Sequence, residues 1–152
     1  MENLCKRLRE YNIETRTDII ATTLSKIPGI EYVPDYNVLF GPTSRQHSVY
    51  AVIGDSSFEV VFAFATLTNG STAKDYDNAR QKLLCNDTLY SIYLRIFGVN
   101  GLPHVPENVR AGATFIEALA GILYKHAITE MESGVKFNDT KYMKFISLYL
   151  FK

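Results

Sequence analysis

One acidic residue constrains most of what this chain can become. In the stretch AVIGDSSFEVVFAFATL, Ala51 to Leu67, Asp55 interrupts an otherwise apolar helical run. Val52, Ile53, Phe58, Val60, Val61, Phe62, Phe64 and Ala65 leave almost no polar stripe. That pattern predicts a helix surrounded by protein rather than one lying on a surface. Burying an unpaired carboxylate in such a helix is expensive. Asp55 is therefore expected to have a partner, to cap a helix start, or to bind a cation.

The remaining composition narrows the setting. A chain of 152 residues can bury a good core as a single domain without disulfides or a structural metal. With 47% hydrophobic residues, 21% charged residues and no low-complexity tract, the chain is expected to be globular. No apolar run reads as long enough to span a bilayer, and MENLCKRLREYN carries charges where a signal peptide needs an apolar core. The expectation is an intracellular protein with no membrane partner. Cys5 and Cys85 lie far apart without a CxxC or a histidine pair, so free thiols are expected, not a zinc site. The sequons at Asn69, Asn86 and Asn138 read as turn and cap chemistry. Net charge is zero, so any nucleic-acid role must rest on local features.

Taken in order, the chain reads as helices. Asn3 to Arg9 suggests a short basic helix capped by Asn3, and Thr17-Asp18 opens a second that Pro28-Gly29 stops. Ile30 to Ser44, with Pro34, Gly41 and Pro42, is expected to be irregular or a short hairpin. A third helix runs from about Gln46 to Leu67 and ends at Asn69-Gly70. Ser71 caps a fourth through Leu84, and Asn86-Asp87 caps a fifth that Gly98 stops. After a loop from Gly101 to Pro106 comes a sixth, about Asn108 to Met131, with Phe115, Ile116, Leu119, Ile122 and Leu123 inward and Glu117 among them. A last helix is expected over Asp139 to Phe151. The fold class is all-α, one domain over residues 1–152, with no internal repeat.

Two long helices thus each place one carboxylate among apolar residues. Asp55 and Glu117 together are a cradle for Mg²⁺, which takes oxygen ligands and often uses one or two carboxylates plus water and phosphate. The plainer alternative is that they satisfy caps or pair with Arg80, Arg95 or Arg110.

The order IGDSSFEVV, ARQKLLCNDTLYSIYLRIFG and GATFIEALAGILY resembles the endonuclease domain of ribonuclease III. That family's signature reads approximately ERLEFLGDAVLEL, and its later helix ADxFEALxGAxY. Between them lies R-x-x-L-V-S-N-x-x-L-A-x-I-A-x-x-L-G, which Arg80, Leu84, Asn86, Leu89, Ile92 and Gly98 follow in order. The resemblance covers Ser48 to Ser133, flanked by residues 1–47 and a C-terminal helix. It implies a ribonuclease III-type helical domain in which Asp55 matches the GD aspartate and Glu117 the EAL glutamate. Both would act as catalytic residues and as ligands of Mg²⁺ or Mn²⁺.

The family carries a second acid four residues before the GD aspartate and another three residues before the EAL glutamate. Each spacing puts the pair on one helix face. Here those positions are Ala51 and Thr114, and Ser48 stands where the signature begins with an acid. The site is thus impaired or rebuilt, with the Thr114 oxygen, water and RNA phosphates completing a shell. Glu59 and His47 lie near enough in sequence to be weighed as substitutes, against surface roles for each. His104 and His126 have no partner pattern.

No basic αβββα-like segment follows the EAL helix, so RNA affinity is expected from the helical domain, from a partner, or from sequence beyond it. Lys6, Arg7, Arg9, Lys141 and Lys144 are candidate phosphate contacts, set against ordinary solvated faces. The family works as a homodimer whose signature helices pack together. Its bulky aromatic before L-G-D is Val52 here, which leaves an altered homodimer, a heterodimer or a monomer open.

The resemblance implies cleavage of double-stranded RNA by Mg²⁺-dependent phosphodiester hydrolysis, leaving 5′-phosphate and 3′-hydroxyl ends. The alternative is a catalytically inactive ribonuclease III fold kept for RNA binding or assembly in an RNA-processing or ribosomal complex. A third is an unrelated helical interaction domain.

Overall fold

The computed structural model describes residues 17–33, 45–68, 72–98 and 108–150, with single positions 4, 6, 39 and 70. The elements are α1 (Thr17–Ser25), α2 (Arg45–Thr68), α3 (Ala73–Leu83), α4 (Asn86–Phe97), α5 (Val109–Glu132) and α6 (Lys141–Tyr149). Two 3₁₀ turns, Ile30–Tyr32 and Phe137–Asp139, complete them. Among the described residues there is no strand, as the all-α expectation requires. The expected Asn3-capped helix, the proline-containing connection after Val33 and the 101–106 loop fall mainly outside the described residues.

The molecule is built on the α2/α5 pair, the most extensive helix contact among the described residues. The two helices run antiparallel. Gly54 lies against Glu117 and Gly121, and one turn earlier the Tyr50 carbonyl lies against Gly121. A Cβ on Gly54 would strike the Glu117 carbonyl, and one on Gly121 would strike that of Tyr50. Glycine at both positions is what lets the backbones approach this closely. Phe58, Val61 and Phe62 of α2 belong to the same buried core as Ile116, Leu119, Ala120 and Leu123 of α5.

The other helices cover this pair. On α4, Tyr93 and Phe97 meet Phe115 of α5 edge-on, with ring centroids 5.6 and 5.3 Å away. Tyr142, Phe145 and Ile146 bury the inner face of α6, where Tyr142 packs edge-on against Tyr124 at 5.2 Å. Gly29, with φ 81°, turns the chain after α1 into the first 3₁₀ turn, and Tyr32 stacks on His126 at 4.4 Å. His126 thus has an aromatic partner that its sequence neighbours did not announce.

Helix caps depart locally from expectation. α3 is capped by Thr72, whose hydroxyl accepts from Asp75 N while the Asp75 carboxylate accepts from Thr72 N. α4 takes Cys85 as N-cap, with Asn86 already helical. The last helix begins two residues later than expected because the 3₁₀ turn ends at Asp139 and buried Thr140 caps α6. No α3 residue is buried. That helix is held by Tyr76 Oη donating to the Glu59 carbonyl at 3.0 Å and by Arg80 on the Glu59 carboxylate.

The main correction concerns α2 itself. It is not surrounded by protein: Val49 (49%), Val52 (67%), Val60 (50%) and Phe64 (71%) are exposed. The apolar excess comprises two faces, one buried against α5 and one uncovered. Asp55 is exposed too, so its partner is not forced by burial. Arg45–Thr66 is long and apolar enough to cross a membrane by length and composition, contrary to the expectation that no segment is. That stretch instead supplies one side of the α5 contact.

Candidate carboxylate site

The Gly54/Gly121 crossing decides where the acids go. Gly54 faces α5, so Asp55, rotated about 100° around α2, projects from one flank of the seam. Glu117, whose own carbonyl abuts Gly54, projects from α5 toward the same flank and is half-buried. The two carboxyls lie close enough to interact across the seam. Burial, followed by the Asp55 charge, pushes Glu117 up from the ordinary glutamate value of 4.5 to about 7. The half-buried Glu117 is therefore the member of the pair that holds a proton more readily than an ordinary glutamate.

Residues weighed as substitutes do not join the pair. Ala51 is buried and carries no oxygen ligand. Thr114 sits one turn before Glu117 and donates its hydroxyl to the Arg110 carbonyl at 2.8 Å, leaving its lone pairs for a ligand. Glu59 is engaged by Arg80 at 3.4 Å, which also reaches Asp77 at 3.8 Å. Arg95 donates to the Tyr149 carbonyl at 3.1 Å. Among the described residues no ion pair joins Asp55 or Glu117 to Arg80, Arg95 or Arg110, and no third His, Cys, Asp or Glu completes a metal-ligand group. His47 is a buried residue with contacts inside the protein, not a surface histidine.

The sequence did not reveal what braces the Gly54–Asp55 turn. Tyr142 Oη donates to Ser57 Oγ at 2.8 Å, and Ser57 Oγ donates to the Gly54 carbonyl at 2.7 Å. Both side chains are buried, so this chain of hydroxyls satisfies its groups internally and pins α6 to the turn that carries Asp55. Burial also raises the Tyr142 phenol well above its usual range, so it stays a donor. The available signal was a small hydroxyl, Ser57, inside an apolar run, opposite an inward tyrosine of the last helix.

The proposed phosphate contacts are only partly described. Lys6 and Lys144 are exposed and Lys141 is half-buried, whereas Arg7 and Arg9 lie outside the described residues. Tyr142, between Lys141 and Lys144 in sequence, is buried and does not share an exposed face with them. Cys85 is a free, exposed thiol as expected, and hydrogen bonds from Thr88 lower its pKa. Cys5 and His104 lie outside the described residues.

Two neighbouring carboxyls, one of them with a raised pKa, are an arrangement that a hard divalent cation fits. Two like charges that resist joint ionisation are neutralised together by oxygen-bound Mg²⁺ or Mn²⁺, with water and phosphate filling the remaining positions. Comparison of the chain with protein-family models, with curated proteins and with solved structures returned no match.

Proposed function

We propose that the chain is a divergent ribonuclease III-type endoribonuclease domain acting on double-stranded RNA, with Asp55 and Glu117 as the ligands of Mg²⁺ or Mn²⁺. The observation that carries this reading is the α2/α5 crossing at Gly54 and Gly121, which puts Asp55 and Glu117 on one flank of the seam within interaction distance. They are the acids that the GD and EAL segments supply. Such a cation supplies an acidified water and charge neutralisation for phosphodiester hydrolysis. Asp55, exposed on the flank of the seam, faces the solvent from which a phosphate arrives. Glu117 must give up its proton to become a full ligand, so binding is weaker below pH 7. Ser57 and Tyr142 hold the turn that orients Asp55.

The test incubates long double-stranded RNA with the chain in Mg²⁺ or Mn²⁺, beside Asp55→Ala and Glu117→Ala. Wild-type cleavage that both variants lose supports the site; cleavage unchanged in both removes it. The absence of acids at Ala51 and Thr114 supports a second reading, an inactive ribonuclease III fold serving as an RNA-binding or assembly subunit. Retained RNA binding with no cleavage in either metal selects that reading.

A further inference from the structure

Toward the start of α2 the seam with α5 opens into a pocket of about 260 Å³ lined by Arg45, Gln46, Val49, Tyr50, Ile53 and Lys125. The five α2 residues recur at i, i+1, i+4, i+5 and i+8, so they form one stripe of that helix. Lys125 lies one turn beyond Gly121, against which the Tyr50 carbonyl packs, so the crossing that positions the two acids also bounds this pocket. Asp55 lies about 200° around α2 from Ile53, which puts the acids and the pocket on opposite flanks of the seam. Val49, Ile53 and the Tyr50 ring make the wall mostly apolar.

The charges at this pocket are of one sign. Arg45 and Lys125 are exposed at its rim, and no acid occurs on α2 from residue 45 to 54 or on α5 from 118 to 129. Among the described residues neither cation has a carboxylate partner. The Lys125 ammonium donates to Tyr50 Oη at 3.4 Å and stands 5.7 Å from the centre of that ring. This holds the ammonium beside the apolar wall and leaves two of its three N–H groups for a ligand. A cleft with one sign of charge over a low-dielectric wall concentrates counter-ions, and an anion held there is less screened than in open water.

We infer that this pocket binds a small amphipathic carboxylate, its ring or short alkyl body against Val49, Tyr50 and Ile53 and its carboxylate between Arg45 and Lys125. Size and charge select that class. Benzene occupies a cavity of ~150 Å³, so this pocket takes one or two fused rings or an alkyl body of similar volume. It is smaller than the ~300 Å³ at which sites for drug-sized ligands begin. Arg45 presents a planar fork that matches two carboxylate oxygens, and Lys125 adds a compact charge. A neutral ligand would leave both cations without a counter-charge, and a bare anion would leave the apolar wall wet. A ligand that carries both parts uses the whole pocket.

Amide NMR titrations of the full chain test it with naphthoate, its neutral counterpart naphthamide, and acetate. Naphthoate is expected to shift the amides of residues 45–53 and 125 with a Kd of about 1 mM or below, and the other two to bind at least about tenfold more weakly. Arg45→Gln and Lys125→Gln change exposed side chains, and each is expected to weaken naphthoate about fivefold or more. Val49→Asp, which places a carboxylate on the wall, is expected to abolish binding. A native amide spectrum shows that each variant is folded. No naphthoate binding, equal binding of naphthamide, or binding that survives the two charge substitutions overturns the inference. So does an acetylated peptide ending in phenylalanine that binds the same amides more than about tenfold tighter than naphthoate, which would make the pocket a peptide dock. Asp55→Ala and Glu117→Ala should bind naphthoate as the wild type does, so this inference and the RNA-cleavage reading fail separately.

Discussion

Gly54→Ala tests the crossing on which everything else stands. The added methyl would fall inside the contact distance of the Glu117 carbonyl and within 3.0 Å of Gly121 N. Neither is the end of a flexible side chain, so α2 and α5 must separate by about 1 Å. Overpacking of this kind costs about 1–3 kcal/mol, and here it also loosens the Phe58, Phe62, Ile116 and Leu119 contacts. Helix propensity opposes it, since alanine in place of glycine gains about 1 kcal/mol. The net expectation is a loss of about 1 kcal/mol, which lowers Tm by about 2–4 °C for a domain of this size. Gly121→Ala, whose methyl meets the Tyr50 carbonyl, should behave alike. One separation accommodates both methyls, so the double variant should cost less than the two singles added, by about 0.5 kcal/mol or more. Ser56→Ala, exposed on the same helix, should stay within about 0.5 kcal/mol of wild type. Thermal melts followed by circular dichroism read all four. A Gly54→Ala protein more stable than wild type would mean that propensity alone acts and that the seam is not closely packed.

Three further outcomes follow from the site. Below pH 4.5 Glu117 is protonated in folded and unfolded chains alike; between 4.5 and about 7 only the folded chain keeps the proton, so its contribution to stability falls as pH rises. In metal-free buffer Glu117→Gln should remove roughly 1–3 kcal/mol of that decline, measured as the difference between the variant and wild-type Tm profiles from pH 4 to 8. Thr114→Asp adds a carboxylate one turn before Glu117; it should lower metal-free stability and raise Mn²⁺ affinity about tenfold, read as a larger Mn²⁺-dependent rise in Tm. Tyr142→Phe removes the hydroxyl that reaches Ser57 and should cost about 1 kcal/mol, while Ser57 keeps its bond to the Gly54 carbonyl.

The all-α architecture and the limits of the long helices were legible because apolar period and cap chemistry are local properties. Asn108 accepts from Ala111 N at the start of α5, and Gly98 follows α4, as the sequence implied. Thr72 in place of Ser71, and Cys85 in place of Asn86, were not legible, because neighbouring residues can compete for one cap and the packed position of the helix selects between them. Asp55 and Glu117 could be marked as anomalies on two helices, yet periodicity along either helix carries no information about their mutual distance. Their contact required Gly54 and Gly121 to meet across the seam, and the brace behind it required Tyr142, 85 residues from Ser57, to arrive from α6. The apolar count of residues 51–67 suggested a fully buried helix, because hydrophobicity is a property of residues whereas burial depends on which neighbours exist. Sequence alone determined that this chain is helical and that two acids are out of place; the tertiary structure decided that those acids stand together on one flank of the α2/α5 seam and that one face of α2 lies open.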